Sequence, residues 1–216
     1  MESKRTQAIQ KFNYWATRMI CPICQSNLSF TNNQVRCDHN HSFDIAKQGY
    51  INLAPNHQEA HYNNELFAAR QRIMGDAKLY TGIYDQILDL LVEQGIDLNS
   101  VNNIIDLGTA EGSHFHYFID HWQNRTQQTT FPMALGLDLA KDGIVSAAKH
   151  YTNALWVVAD LGQLPFTPAS IDGAITILSP SNYHHLNQAL SEKGWFIKVI
   201  PGPNYLRELR EIVLTS

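Results

Sequence analysis

A chain of 216 residues, 44% hydrophobic and 17% charged with a net charge of −4, has the make-up of a soluble globular protein: one medium domain plus a small appendage. Its apolar runs fall far short of the roughly 20 residues that span a bilayer. The first 20 residues lack the apolar stretch of a secretory signal, so a cytoplasmic address and no membrane partner are expected. Charge is uneven: residues 1–60 hold Lys4, Arg5, Lys11, Arg18, Arg36 and Lys47 against Glu2, Asp38, Asp44 and Glu59, a balance of +2, leaving −6 for the rest. If a nucleic acid binds, the first part should make more of the phosphate contacts.

In chain order, residues 1–20 come first. Ala8, Ile9, Phe12, Trp15, Ala16 and Met19 recur at helical spacing, which predicts an amphipathic helix packed on the body or on a second subunit, the latter giving a homodimer. Residues 21–55 read as a metal-binding module. All three cysteines, Cys21, Cys24 and Cys37, fall within one short segment, and His41 follows Cys37 at x3 spacing. A C-x2-C-x12-C-x3-H pattern suits tetrahedral Zn2+, with two thiolates on one knuckle and the second pair returning on a neighbouring hairpin. His39 is the rival fourth ligand, but x3 gives the chain more room to return to the metal. Two short extended pieces, LSF and QVR, are expected around a Thr-Asn-Asn turn. A segment this small buries little apolar surface, so ligation should supply much of its folding free energy.

Residues 56–98 read as a helical linker: a polar loop at 56–64, then helices at 65–75 and 80–94. The second is marked by Ile83, Ile87, Leu90, Leu91 and Gln94, with Gly95 as the stop. Residues 99–216 alternate strands with helices. Strands are expected at VNNIIDL, MALGLD, ALWVVAD, SIDGAITIL and GWFIKVI, a pattern that implies an α/β, doubly wound, mostly parallel sheet.

The turn after the first of these strands is Asp106-Leu107-Gly108-Thr109-Ala110-Glu111-Gly112. It is not the G-x-G-x-x-G of dinucleotide folds. Its D-x-G-x-x-E-G form resembles motif I of S-adenosylmethionine (SAM)-dependent methyltransferases, whose ligand carries no phosphate. In that reading Asp138 ends the next strand and accepts both ribose hydroxyls, and Asp160 ends the third and accepts from the adenine amino group. Asp106 and Gly108 complete the set.

The segments CPICQSNLSF and VRCDHNHSFDIAKQGYINL resemble the N-terminus of the bacterial 23S rRNA guanine-N1 methyltransferases, in which a zinc ribbon precedes a class I, Rossmann-like SAM domain. AARQRIMGDAKLY, IIDLGTAEG, GLDLAK, ADLGQLPF and IPGPNYLREL continue the similarity over roughly residues 18–213. The resemblance implies methyl transfer from SAM to guanine N1 in a 23S rRNA hairpin, with the zinc module helping to recognise RNA. It also places ligand contacts on Tyr80, Gly112, Ser113 and Tyr205, the last standing where the family has histidine.

Two departures set up an alternative. Ala110 replaces the middle glycine of the family's G-C-G-E-G turn, where alanine is strained if φ is positive. The chain also stops at Ser216, 16 residues after the fifth strand, without the antiparallel strand pair that completes the fold class. Together they suggest a catalytically impaired homologue that keeps zinc and RNA or SAM binding without turnover. Guanine N1 must be unpaired or flipped out to react. Residues 179–182 follow the fourth strand, where methyltransferases place their target. His184 and His185 come next, either as a base or as surface histidines, so the catalytic base stays open.

Overall fold

The computed structural model describes residues 2–31, 34–55, 64–75, 80–127 and 132–214. Asn32 and Asn33 of the expected turn lie outside these residues, as does all of the predicted 56–64 loop except Asn64. Helix α1 spans Lys4–Trp15. Its N-cap is Ser3, whose hydroxyl accepts from the Thr6 amide at 3.1 Å. Ala8, Phe12 and Trp15 are buried on one face, and that face packs into the chain's own core rather than awaiting a second subunit.

The metal-binding module is a small antiparallel sheet of β1 (Leu28–Thr31), β2 (Gln34–Cys37) and β3 (Ser42–Phe43). Next comes a strand absent from the sequence reading, β4 (Tyr50–Asn52). It pairs in parallel with β7 (Leu155–Val158), Ile51 opposite Val157, and so belongs to the large sheet. The AKQGYINL segment therefore joins the two parts of the molecule.

That large sheet also contains β5 (Asn103–Leu107), β6 (Met133–Asp138), β8 (Ile171–Ile177) and β9 (Leu190–Val199). The strand order is β4-β7-β6-β5-β8-β9, and each neighbouring pair in it is parallel. After the edge strand β4 the chain enters near the middle at β5, runs outward through β6 and β7, then returns to β8 on the other side. This reversal makes the crevice beyond the carboxyl ends of β5 and β8 the topological switch point, where such sheets bind ligands.

Strands covered on both faces read as continuous apolar runs, and β5 and β7 are buried throughout. Period-2 alternation sorts their side chains. Ile105, Leu107, Leu135, Leu137, Leu155 and Val157 face a core shared with α1 and the ribbon residues Leu28, Val35 and Phe43. Ile104, Ala134, Trp156, Val158 and Ile175 face the opposite core, with α3 (Thr81–Glu93), α4 (Ser113–Thr126) and α5 (Lys141–His150). The helix and ribbon thus cover much of one face of the sheet, with Leu164, Phe166, Leu186 and Ala189 in the same core. The cover is also hydrogen-bonded: the Ile20 amide donates to the Pro165 carbonyl and the Thr167 amide to the Arg18 carbonyl.

Helix α2 runs Asn64–Gly75, close to the expected 65–75. The buried face of α3 is Tyr84, Ile87, Leu88 and Leu91, and Leu90 is 44% exposed. The stripe is rotated by about one position from the one expected, because the aromatic Tyr84 turns inward to meet a buried histidine of α4. Gly95, with φ +78°, ends the helix as expected. Beyond the expected elements lie α6 (Tyr183–Ala189) and α7 (Arg207–Leu214). Among the described residues no helix is long and apolar enough to cross a membrane.

Candidate metal centre and cofactor cleft

Two tight turns bring four donors together. At the first, the Cys21 amide donates to the Ser26 carbonyl and the Gln25 amide to the Cys21 carbonyl, with Gln25 in the left-handed region at φ +64°. At the second, the Cys37 amide donates to the His41 carbonyl and the Asn40 amide to the Cys37 carbonyl, with Asn40 also at φ +64°. The single ligand atoms of Cys21, Cys24, Cys37 and His41 all lie within 4.8 Å of one another. Nδ1 of His41 is 3.6 Å from Sγ of Cys21 and 3.4 Å from Sγ of Cys37, and the Cys24 and Cys37 sulfurs are 3.6 Å apart. A tetrahedral zinc with ordinary bond lengths requires S···S of about 3.8 Å and S···N of about 3.5 Å. The donor set fits Zn2+, and His41 rather than His39 completes it. The left-handed Asn40 explains the choice, since it turns His41 back toward the thiolates.

At the carboxyl ends of the parallel strands lies a cleft of about 580 Å³, within the usual range for small-molecule sites. Its wall comprises Leu66, Phe67 and Arg70 from α2, Gly108 and Ala110 from the turn after β5, and residues 138–140, 160–162 and 177–182 after β6, β7 and β8. The sequence-derived set divides here. Gly108, Asp138 and Asp160 line the cleft, whereas Tyr80, Asp106, Gly112, Ser113 and Tyr205 do not.

Each of the five has a partner elsewhere or sits in packing. Asp106 is buried beneath the turn, and burial, with the charges of Asp138 and Glu111 adding, pushes its carboxyl up to about 7. Gly112, at φ +82°, admits close packing: a Cβ there would sit 2.8 Å from Ala147 and from the Trp156 ring. The Ser113 hydroxyl is 3.1 Å from that of Tyr151. Tyr80 and Tyr205, 125 residues apart, share a 2.8 Å hydrogen bond, and burial first, then that bond, pushes the Tyr80 hydroxyl up to about 12.

The turn itself is set by backbone demands. Gly108 has φ +79°, and a Cβ there would fall 1.9 Å from Oγ of Ser179. The glycine is needed because the loop after β8 presses against the turn. Ala110 adopts φ +50°, as the departure from glycine foreshadowed, and its amide donates to Oδ2 of Asp138 at 2.8 Å. The Ala140 amide donates to Oδ1 of the same carboxylate at 2.8 Å. A carboxylate offers about four lone-pair sites, so these two bonds orient Asp138 and leave acceptor capacity facing the cleft. Asp160 is likewise fixed, accepting from the Gly162 amide at 2.7 Å.

Across the cleft, Nδ2 of Asn182 donates to the Gly162 carbonyl at 3.0 Å and ties two wall loops together. The Asn182 side chain also caps α6 by accepting from the His184 amide. His184 and His185 stand on that first turn, outside the cleft wall. Oγ of Ser181 lines the cleft, buried and without a protein partner, as expected where a ligand completes the site. Carboxylates matched to hydroxyl and amino donors, apolar side chains and a single cation among the described lining residues fit a nucleoside that carries no phosphate. SAM is such a ligand.

Sequence reasoning missed α2 as a wall. Phe67 packs where a Cβ on Gly143 would come within 3.1 Å of its ring, and Nε of Arg70 donates to Oε2 of buried Glu111 at 2.8 Å. Glu111 sits inside the glycine turn, but the burial that makes it call for a cation is visible only in the structure.

Comparison with known proteins agrees with this geometry. Residues 19–60 match the zinc-ribbon family model described as RlmA, N-terminal. The chain is 32% identical over 198 residues to a Bacillus subtilis protein provisionally named 23S rRNA (guanine-N(1)-)-methyltransferase YxjB, covering 91% of this chain and 68% of that protein. It is 25% identical to the 23S rRNA (guanine(748)-N(1))-methyltransferase of Streptomyces fradiae, covering 88% and 65%. The chain thus spans about two thirds of the length of these relatives. Among solved structures, a SAM-dependent methyltransferase, provisionally so named, from Methanococcus maripaludis superposes with a TM-score of 0.52 at 16% identity, covering 74% of this chain and 73% of its own. That likeness supports the fold.

Proposed function

The chain belongs to the family of bacterial 23S rRNA (guanine-N1)-methyltransferases, and from this premise we propose that it transfers a methyl group from SAM to N1 of a guanine in 23S rRNA. The observation that carries the reading is the succession of Asp160, Asp138 and the Gly108–Gly112 turn across the carboxyl ends of the adjacent strands β7, β6 and β5, on one cleft. Adenine, ribose and methionine would lie in that order along the sheet. The methyl group would point toward residues 179–182 beyond β8, where the guanine must enter. When bound, SAM supplies an already electrophilic methyl group.

The chain's own contribution is alignment. Asp138 and Asp160 hold the nucleoside, the Asn182 bridge fixes the loops, and apolar side chains such as Leu139, Leu161 and Ile177 exclude water. Holding two reactants in line is worth several orders of magnitude in rate. No histidine lines the wall among the described residues, so His184 and His185 are read as surface groups and positioning as the main device.

The ribbon is read as the RNA-recognising part, a hairpin as its target, and the cytoplasm as the place of action. The division at residues 20, 55 and 98 is kept as a functional division only. The apolar face of α1 is taken up internally, so nothing on that helix calls for a homodimer. The impaired-homologue alternative rested on Ala110 and on the short C-terminus; of these, Ala110 has a backbone that adopts the required conformation and donates to Asp138, which favours a working turn. The test is incubation with labelled SAM and 23S rRNA lacking the modification, read by label transfer and by a reverse-transcription stop, since N1 methylation blocks pairing. Transfer with a stop at one guanine is expected. SAM binding without any transfer would overturn the enzymatic reading.

A further inference from the structure

Arg70 is the only cation among the described residues that line the cleft, which otherwise carries the acids Asp138 and Asp160. Its side chain is 42% exposed, while its partner Glu111 is 1% exposed. Oε1 of Glu111 is buried with no hydrogen-bond partner, so the Arg70 bond at Oε2 is what offsets the buried charge. The ion pair therefore fixes the guanidinium at the wall, beside the turn after β5. That is the end of the cleft where the order adenine, ribose, methionine across β7, β6 and β5 puts the amino-acid part of the ligand. A ligand carboxylate there needs a cation or amide donors, and the two acids nearby would repel it.

We propose that Arg70, held in place by Glu111, recognises the α-carboxylate of the bound SAM, with Glu111 as the positioning residue. The inference rests on the methyltransferase reading above and adds the group that distinguishes the amino-acid moiety from a bare nucleoside. A fork of N–H donors suits a carboxylate better than any other side chain in the wall. Helix α2, which presents Arg70 together with Leu66 and Phe67, then acts as a specificity wall.

The test compares two probes by calorimetric titration: S-adenosylhomocysteine, which has the carboxylate, and 5′-methylthioadenosine, which lacks the amino-acid part. Arg70→Ala should weaken binding of the first roughly ten- to hundredfold, the usual scale of a lost charge-assisted hydrogen bond, and leave the second within about twofold. Because Arg70→Ala strands Glu111, the paired variant Arg70→Ala/Glu111→Gln, checked by thermal unfolding, should give the same selective loss in a stably folded protein. Glu111→Gln alone should weaken the homocysteine compound by less than Arg70→Ala does. Equal losses for both probes, or no loss for either, would overturn the assignment. Wild-type protein that binds neither probe would instead sink the cofactor reading itself, an outcome seen before any variant is made.

Discussion

At the residue scale the cleft depends on a few fixed carboxylates. Asp138 accepts two backbone amides, so its removal leaves two oriented N–H groups without their acceptor and, on the proposed reading, takes away the ribose acceptor. Asp138→Ala should weaken SAM binding by about 1–3 kcal/mol. Equal affinity in titrations of the two proteins would remove Asp138 from the ribose position. The buried groups under the turn make a pH prediction. Asp106 is raised from 3.8 to about 7 by burial, so its contribution to stability is full below about pH 4 and is lost as pH rises through 7. His114 is lowered from 6.5 to about 4, again chiefly by burial, so its contribution is present above about 6.5 and lost as pH falls through 4. The two slopes oppose each other in the same window. Urea unfolding of Asp106→Asn should therefore gain on the wild type as pH rises from 4 to 7; a constant difference would mean that Asp106 titrates normally. The position of Asp138, Asp160 and Gly108 on the cleft was legible in the sequence because strand ends and glycine turns announce themselves. Arg70 was not, since helical periodicity says nothing about which cation meets an acid 41 positions later.

At the scale of elements, the five expected core strands and the helices expected within residues 1–20, 65–75 and 80–94 are present, because long apolar runs and 3.6-residue stripes are strong local signals. Strand β4 escaped notice because three residues carry almost no periodicity, and its identity comes from pairing with a strand more than a hundred residues away. The ribbon's ligands were legible from spacing alone, but its attachment was not. The ribbon shares one core with α1 and the sheet, so metal should support more than the knuckles. Purified protein should hold one zinc per chain by elemental analysis. His41→Ala and Cys37→Ser should lose it, and His39→Ala should keep it. Stripping the metal should lower the melting temperature of a single global transition. Two separate transitions on chelation would mean that the ribbon unfolds independently of the sheet.

At the scale of the whole molecule, the surplus of basic residues lies in the part that carries the ribbon and the acids dominate the remainder, so RNA should approach from the ribbon side. Lys47 is exposed, and Arg36 is half-buried with its guanidinium donating to Oε1 of Gln34 at 2.9 Å. Neutralising both should flatten the salt dependence of binding to an rRNA hairpin, by about one in slope for each phosphate left without its cation, Lys47 contributing the larger share, with SAM affinity unchanged. An unaltered slope across a salt series would take both residues off the RNA surface. The joint at Tyr50–Asn52 bears on how such a protein can change over generations. Recombination that replaced the ribbon together with this joint would have to import a strand able to pair with residues 156–158 and an apolar underside matching Leu155 and Val157. A crossover after residue 52 would have to supply both, and one before residue 50, which keeps β4, would still have to match that apolar underside, so the ribbon and the sheet should descend as one inherited block.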